Sequence, residues 1–485
     1  MQRSKTLWIA ACALWLGACG KGPEETAPPA DATAANRWIY SVMKEQYLYN
    51  DHVKSLTPNY SLATESFFTS LLSSSPNDND GKHKNGKNRF YSYMESTGTK
   101  GLSGNQTAYG LDFQAYTIPD IGTSTNPYIM ARVLYVVPES PADRAGLRRG
   151  DWIYKADGKL VQLSDADRFV SGGAVTFTVQ KIEKRIENGK EGYYVTDERP
   201  VRLAAAEAMN ISPLLSGTVI GKGSRKIGYV VYNSFDTGPK GPAANDYSYD
   251  QQLKALFADF KTRGVDELVL DLRYNGGGYV SSCQLLCSLI VGEQHLGQSF
   301  CFYKYNPDLT AQRGEPEMKL LGAGEVSAGN LNLDRLYVLT GPWTASASEL
   351  VINSLRPYMT VVVVGTQTEG KNVGSYEIKS DAYKIALHPI TLQFFNKDRR
   401  SDYKDGFTPD IVVDDLDNQD QWLELGDPDE YVLSRAIADM TGRVTAGSKA
   451  AQGAEGARIP VGGGSSRLYG LRGAIVETPD HTEEM

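Results

Sequence analysis

At 485 residues the chain is long enough for two or three domains, each able to close a core. Its composition, 41% hydrophobic and 22% charged, is that of an ordinary globular protein, and a formal charge of −8 supplies no basic footprint for nucleic acid. The histidines (His52, His83, His295, His388 and His481) show no metal-ligand spacing, so no metal is expected, and no motif calls for an organic cofactor. A Ser-His-Asp triad is not excluded, because its members need not be close in sequence. His388, however, lies in the run 383–395 and reads as a strand residue.

Residues 1–19 read as a targeting segment. Arg3 and Lys5 give the positive start, 7–16 the apolar run, and Gly17-Ala18 the small residues before Cys19. The run is too short to span a bilayer as a helix. L-G-A-C at 16–19 looks like a bacterial lipobox, which implies cleavage before Cys19 and lipid on its thiol. An ordinary secretory signal with an incidental cysteine is the alternative. The expected location is the bacterial cell envelope, lipid-anchored, either periplasmic or at the outer membrane or surface. Gly20, where an aspartate would favour inner-membrane retention, tilts this towards the outer membrane.

Residues 20–35 are rich in Pro, Ala, Glu and Thr and read as a flexible tether. Helical-looking runs through Tyr49 and at 62–72 predict a small helical domain over 36–104, with 73–87 as polar loop. Its aromatic residues (Trp38, Tyr40, Tyr47, Phe67 and Phe68) read as core. Cys283 and Cys287 fall four apart on an apparent helix and read as buried small hydrophobes rather than a metal or disulfide pair, with Cys301 the remaining cysteine.

From 105 to 205 the pattern changes to short strands. S-P-A-D-R-A-G-L-R-R-G-D-W-I at 140–153 reads as a helix opened by Ser140-Pro141 and stopped at Gly146, then a turn and a strand. The run closely resembles the signature of PDZ domains, which capture an extended chain end by strand addition. Gly110 and Leu111 lie where such a domain would bind a terminal carboxylate. A PDZ fold that only packs against its neighbour is the alternative.

Residues 206–440 alternate strands and helices, which predicts a mostly parallel α/β sheet with its site at the strands' C-terminal edge. One strand, at 266–272, runs into R-Y-N-G-G-G; as sequence alone this is a tight turn, since the P-loop Lys-Ser/Thr is absent. A later strand at 336–340 runs into G-P-W-T-A-S-A-S-E, a helix to Leu355, a β-branched strand at 359–364, and a loop carrying Lys371. A serine at a helix start gains unpaired N–H groups and a favourable dipole for a developing anion. A lysine can be its base only if its pKa falls from about 10.4 towards 7–8. The competing reading is structural: S-A-S-E at 346–349 is also a capping box. Beyond 441 the chain is rich in Gly, Ala and Ser, a low-complexity tail over 441–485.

Taken together, T-A-S-A-S-E, V-V-V-V-G, G-K-N-V-G, D-L-R-Y-N-G-G-G and the G-F-T-P-D ending resemble the C-terminal processing peptidases, the S41 family of serine proteases, over roughly residues 105–415. The resemblance implies a crotonase/ClpP-like α/β catalytic domain behind a β-rich PDZ domain and a small N-terminal helical domain. It assigns Ser346 as nucleophile and Lys371 as base. It also implies an oxyanion hole from Gly276 or Gly277 with Ala347. Substrates would be proteins or peptides with accessible C-terminal regions; oligomeric state is left open.

The sequence departs from the family in two places. Ser375 stands where many relatives carry a glutamine that orients the lysine, with Gln367 a possible substitute. Pro342 and Trp343 stand where relatives have an acidic residue and a glycine. A catalytically inactive PDZ scaffold therefore remains the main alternative, ahead of an acyl-ester hydrolase on a related fold.

Overall fold

In the computed structural model the described residues are 32–84, 87–96, 106–118, 128–162, 168–187, 190–415, 422–442 and 474–475. Cys19, with the rest of the targeting segment and most of the tether and tail, lies outside them. The described residues fall into two units, one of 32–96, 217–410 and 474–475, the other of 106–216 and 411–442. Among the described residues no helix is long and apolar enough to cross a membrane.

The first unit opens with α1 (Ala32–Gln46), α2 (Asn50–Ser55) and α3 (Thr64–Ser70). Helix α1 starts inside the stretch expected as tether, because Ala32 and Ala35 are good helix formers that also find buried positions. Ile39, Met43, Tyr47 and Phe67 pack against Val373 and Leu387, contributed some 300 residues later. The helices therefore share one core with the α/β part instead of closing their own. The run expected as loop at 73–87 holds a hairpin, β1 (Gly81–Lys84) with β2 (Lys87–Phe90). Its strands carry lysine, arginine and asparagine without apolar alternation, so the sequence gives no strand signal there. Strand β3 (Tyr93–Ser96) follows.

The second unit contains β4 (Gln106–Ala108), β5 (Leu111–Ile118), β6 (Tyr128–Val136), α4 (Pro141–Arg144), β7 (Trp152–Ala156), β8 (Lys159–Leu160), β9 (Val175–Glu187), β10 (Lys190–Leu203) and β11 (Glu207–Met209). Its main sheet runs β10-β9-β7-β6-β5, which among the described residues leaves β5 as an edge strand. Leu111, Ile129, Val133, Leu147, Ile153 and Phe169 fill the core. As the sequence predicts, Ser140 caps α4 by accepting the Asp143 N–H at 3.2 Å, and Gly146 leaves it at φ 82°. Residues 206–440 were expected as one catalytic domain, but the described residues 422–440 belong here. Two buried arginines explain this: Arg132 lies 3.3 Å from the Trp422 ring centroid, and Arg149 pairs with buried Glu430 at 3.2 Å. Buried guanidinium groups require such partners.

Returning to the first unit, β12 (Leu214–Lys222), β13 (Arg225–Tyr232), α5 (Ser248–Arg263), β14 (Glu267–Asp271) and α6 (Val280–Ile290) begin the α/β layer. A side arm of β15 (Ser299–Lys304), α7 (Pro307–Arg313), β16 (Glu317–Lys319) and α8 (Ala323–Val326) intervenes before β17 (Arg335–Thr340), α9 (Ala347–Leu355) and β18 (Thr360–Gly365). Strands β13, β14, β17 and β18 are parallel neighbours in that order. Both β14 and the middle of β18 are near-continuous apolar runs, as a sheet covered on both faces requires. Helical crossovers return each strand in the same direction, so the loops after Tyr232, Asp271, Thr340 and Gly365 all leave from one edge.

Beyond that edge come β19 (Val373–Ser375), β20 (Ile378–Ser380), β21 (Ile385–His388) and β22 (Ile390–Phe395), with β3 pairing antiparallel to β21. His388 is a buried residue of β21, stacked on Tyr93 at 4.3 Å, as the sequence reading has it. Cys283, Cys287 and Cys301 are all buried and unbridged, and burial pushes the thiols of Cys283 and Cys301 up, away from reactive thiolate.

Candidate active site

Ser346 occupies the turn between β17 and α9 with φ 62° and ψ −112°. A positive φ at a non-glycine residue costs of order 1–3 kcal/mol, so the surroundings must hold it. Glu349 does this. Its buried carboxylate accepts the Ser346 N–H at 2.9 Å, and Leu350 N–H closes the first helical bond onto the Ser346 carbonyl at 2.8 Å. The glutamate arm of the predicted capping box is thus in place. The same carboxylate does more than cap a helix.

The oxygen that accepts from Ser346, Oε2, also accepts the Lys371 N–H at 2.8 Å. The other, Oε1, accepts Gly370 N–H at 2.7 Å and the Thr368 hydroxyl at 2.6 Å. One buried side chain therefore binds the backbone of both the predicted nucleophile and the predicted base. Glu369 N–H adds a bond to the Thr344 carbonyl at 3.0 Å, drawing the loop against the start of α9. Gly370 makes the approach possible. It sits at φ 90°, where a Cβ would lie 2.3 Å from the Lys404 carbonyl oxygen. Burial raises the Glu349 pKa to about 7, against the opposing effect of its four hydrogen bonds.

Lys371 is buried, and this desolvation lowers its pKa to about 8, with Asp80, Glu369 and Glu349 opposing the fall and Arg89 assisting it. Its Nζ lies 4.6 Å from the Tyr91 ring centroid. Gln367, the possible glutamine substitute, turns away: its Nε2 donates to the Asp405 carbonyl at 2.6 Å at an exposed position. Ser375 is a buried residue of β19. The groups that surround the lysine come instead from the N-terminal segment. Asn79 Nδ2 donates to the Gly370 carbonyl and to Asn372 Oδ1, both at 2.9 Å, on either side of Lys371. Sequence reasoning missed Asp80, Asn79 and Tyr91, since they sit in and after a polar turn-rich run with no spacing relation to the lysine.

The glycine loop joins the site through Asn275. Its carbonyl accepts Ala345 N–H at 3.2 Å and the Ser348 hydroxyl at 3.0 Å, while its Nδ2 donates to the Tyr232 carbonyl at 2.7 Å. Asn275 Oδ1 takes the Gly277 N–H at 2.9 Å. Among the described residues no acceptor takes the N–H of Gly276 or of Ala347. The two candidate glycines, which sequence could not separate, thus differ: Gly277 is occupied and Gly276 is available. Asp271, at the strand end, is fully buried and paired with Arg273 at 2.7 Å, which fixes the loop's departure.

Gly110 and Leu111 lie in the other unit, at the start of edge strand β5. Gly110 has φ 80°, a Cβ there would collide with Ser140 Cβ at 2.2 Å, and no described acceptor takes its N–H. Leu111 directs its side chain into the core, which leaves its backbone as the part able to meet a ligand.

Comparison with known proteins defines the class. The peptidase family S41 model matches residues 226–413, a PDZ domain model residues 132–181, and the peptidase S41 N-terminal domain model residues 34–93. The chain thus carries a peptidase S41 domain, a PDZ domain and a peptidase S41 N-terminal domain. It is 24% identical over 347 residues to a Staphylococcus aureus protein named as a probable CtpA-like serine protease; the match covers 69% of this chain and 59% of that protein. It is 25% identical over 314 residues to the carboxyl-terminal-processing protease of Synechocystis, covering 64% of this chain and 65% of the relative. The crystal structure of an S41-family protein from Bacteroides fragilis superimposes with a TM-score of 0.70 and 29% identity, covering 84% of this chain and 98% of the other.

Proposed function

We propose that the protein is a serine endopeptidase in which Ser346 attacks and Lys371 acts as base. The observation that carries this is the single Glu349 oxygen that accepts from the amides of both residues. The parallel sheet with its loops at one edge supports the crotonase/ClpP-like description. In the first step Ser346 Oγ bonds to the scissile carbonyl carbon as its proton passes to Lys371 Nζ. The oxyanion is stabilised by the free N–H groups of Gly276 and Ala347, at the N-terminal end of α9. Lys371 then protonates the leaving amine, and water hydrolyses the acyl-enzyme.

Recruitment is proposed to use edge strand β5, with Gly110 and Leu111 receiving a substrate's terminal carboxylate on backbone N–H groups. The test is digestion of unfolded proteins that differ only in their last residues, with fragments read by mass spectrometry. Cleavage that depends on the terminus is expected. Binding of those termini with no fragments at any pH would turn the reading to an inactive scaffold.

Lipid attachment at Cys19 and a cell-envelope location are proposed from the lipobox pattern. Cys19→Ala is expected to move the protein from the membrane fraction to the soluble one. An unchanged distribution would count against the anchor.

A further inference from the structure

Asp80 is buried in the first unit beside the site, and the reaction just described gives it no task. Its Oδ2 accepts the Tyr47 hydroxyl at 2.6 Å and the Ser92 hydroxyl at 2.7 Å. Its Oδ1 accepts the Ser92 N–H at 2.8 Å and the Tyr91 N–H at 3.2 Å. Tyr47 in turn accepts Ser73 N–H at 3.1 Å. Four donors around one carboxylate hold it as an anion against a desolvation cost that raises its pKa to about 6.

The neighbours of Asp80 on both sides reach Lys371. Asn79 bonds the backbone and side chain flanking the lysine, and the Tyr91 ring lies under its Nζ. Tyr91 also donates to Glu369 Oε1 at 3.0 Å, and Arg89 pairs with the same oxygen. The charged and titratable groups facing the lysine are therefore Asp80, Arg89 and Tyr91 from the N-terminal segment, Glu349 from α9, and Glu369 from its own loop. Those facing Asp80 are Tyr47, Tyr49 and Lys371, with Asp78 acting on Tyr49.

We propose that Asp80 is a positioning residue for Lys371, a fixed anion delivered by the N-terminal segment that holds the ammonium in place and sets the pH at which the lysine becomes a base. This rests on the Ser346–Lys371 reading for its catalytic consequence but not for its electrostatics. The sign is specific. Asp80 stabilises the protonated lysine and so raises its pKa, while burial lowers it. Removing the charge without the shape must move the lysine's titration further down. Asparagine fits, because its Oδ1 can keep both amide donors while the Tyr47 and Ser92 hydroxyls turn to accept from Nδ2.

The experiment uses the full chain, Asp80→Asn and Asp80→Glu. Two quantities are followed with pH: the rate at which a fluorophosphonate labels Ser346, and the ¹³C shift of the Lys371 Cε, assigned by its loss in Lys371→Arg. Asp80→Asn is expected to lower both midpoints by about one pH unit with the high-pH plateau retained, and Asp80→Glu to leave them where they are. A labelling rate in Asp80→Asn that falls by one factor at every pH, with the lysine midpoint unmoved, would overturn the proposal and leave Asp80 a structural residue. A lysine midpoint that moves in a protein whose Ser346 never labels would support Asp80's role and sink the peptidase reading instead.

Discussion

Ser346→Ala is expected to lower kcat/KM for a protein substrate by about ten-thousandfold or more, with Lys371→Ala falling by a similar factor. The double variant should be little worse than either, because nucleophile and base act in one step. Stability should move little for Ser346→Ala, since alanine at φ 62° carries the same backbone strain and the clamping N–H remains. Lys371→Arg is not expected to rescue activity: a guanidinium keeps its proton at any accessible pH and cannot accept one from the serine. Recovery of cleavage in the arginine variant would show that the lysine serves as a charge rather than as a base.

Glu349→Ala is expected to damage both stability and rate. It removes the acceptor from three amides and the Thr368 hydroxyl at a site with no exposure. Each buried donor left without a partner costs about 1–3 kcal/mol, so a total near 4 kcal/mol is expected, read as a lower urea midpoint. With the two backbones no longer held to one oxygen, kcat/KM should fall about a hundredfold or more, the scale of a 1 Å misplacement. Glu349→Gln should be milder in stability, about 2 kcal/mol, because its carbonyl can serve one pair of donors while its NH₂ faces another N–H. A glutamine variant with the full wild-type rate would remove Glu349 from the account of how the site is assembled.

Much of the catalytic unit was legible in the sequence because its signals are local. The apolar run of β14, the β-branched β18 and the glycine turns report a buried parallel sheet one element at a time. Ser140-Pro141 and Gly146 likewise set the ends of α4 through backbone preferences that do not depend on distant contacts. What was not legible depends on long-range pairing. Helices α1–α3 read as a domain of their own, but their apolar faces are completed by β19, β21 and β22, and no periodicity reports a partner 300 residues away. Residues 422–440 read as a continuation of the sheet domain, whereas Arg132 and Arg149 require Trp422 and Glu430.

The same distinction runs through the site. S-A-S-E was ambiguous between a cap and a nucleophile, and the structure shows why: the glutamate caps the serine and also binds the lysine's backbone. Close to Lys371 in sequence only Gln367 offers a third partner, in place of the glutamine that Ser375 replaces. Asp80 and Tyr91 face its amine and Asn79 binds the residues on either side of it, all three flanking a hairpin whose charged residues give no strand pattern.

The most direct test of the Ser346–Lys371 site is intact-mass and peptide-level mass spectrometry after reaction with a fluorophosphonate, across pH 5 to 10. The account predicts one adduct, on Ser346, formed at a rate that rises with pH through a midpoint near 8, where Lys371 loses its proton, and absent from Ser346→Ala and Lys371→Ala. An adduct on another residue, or a Ser346 adduct whose rate is the same in Lys371→Ala, would contradict it.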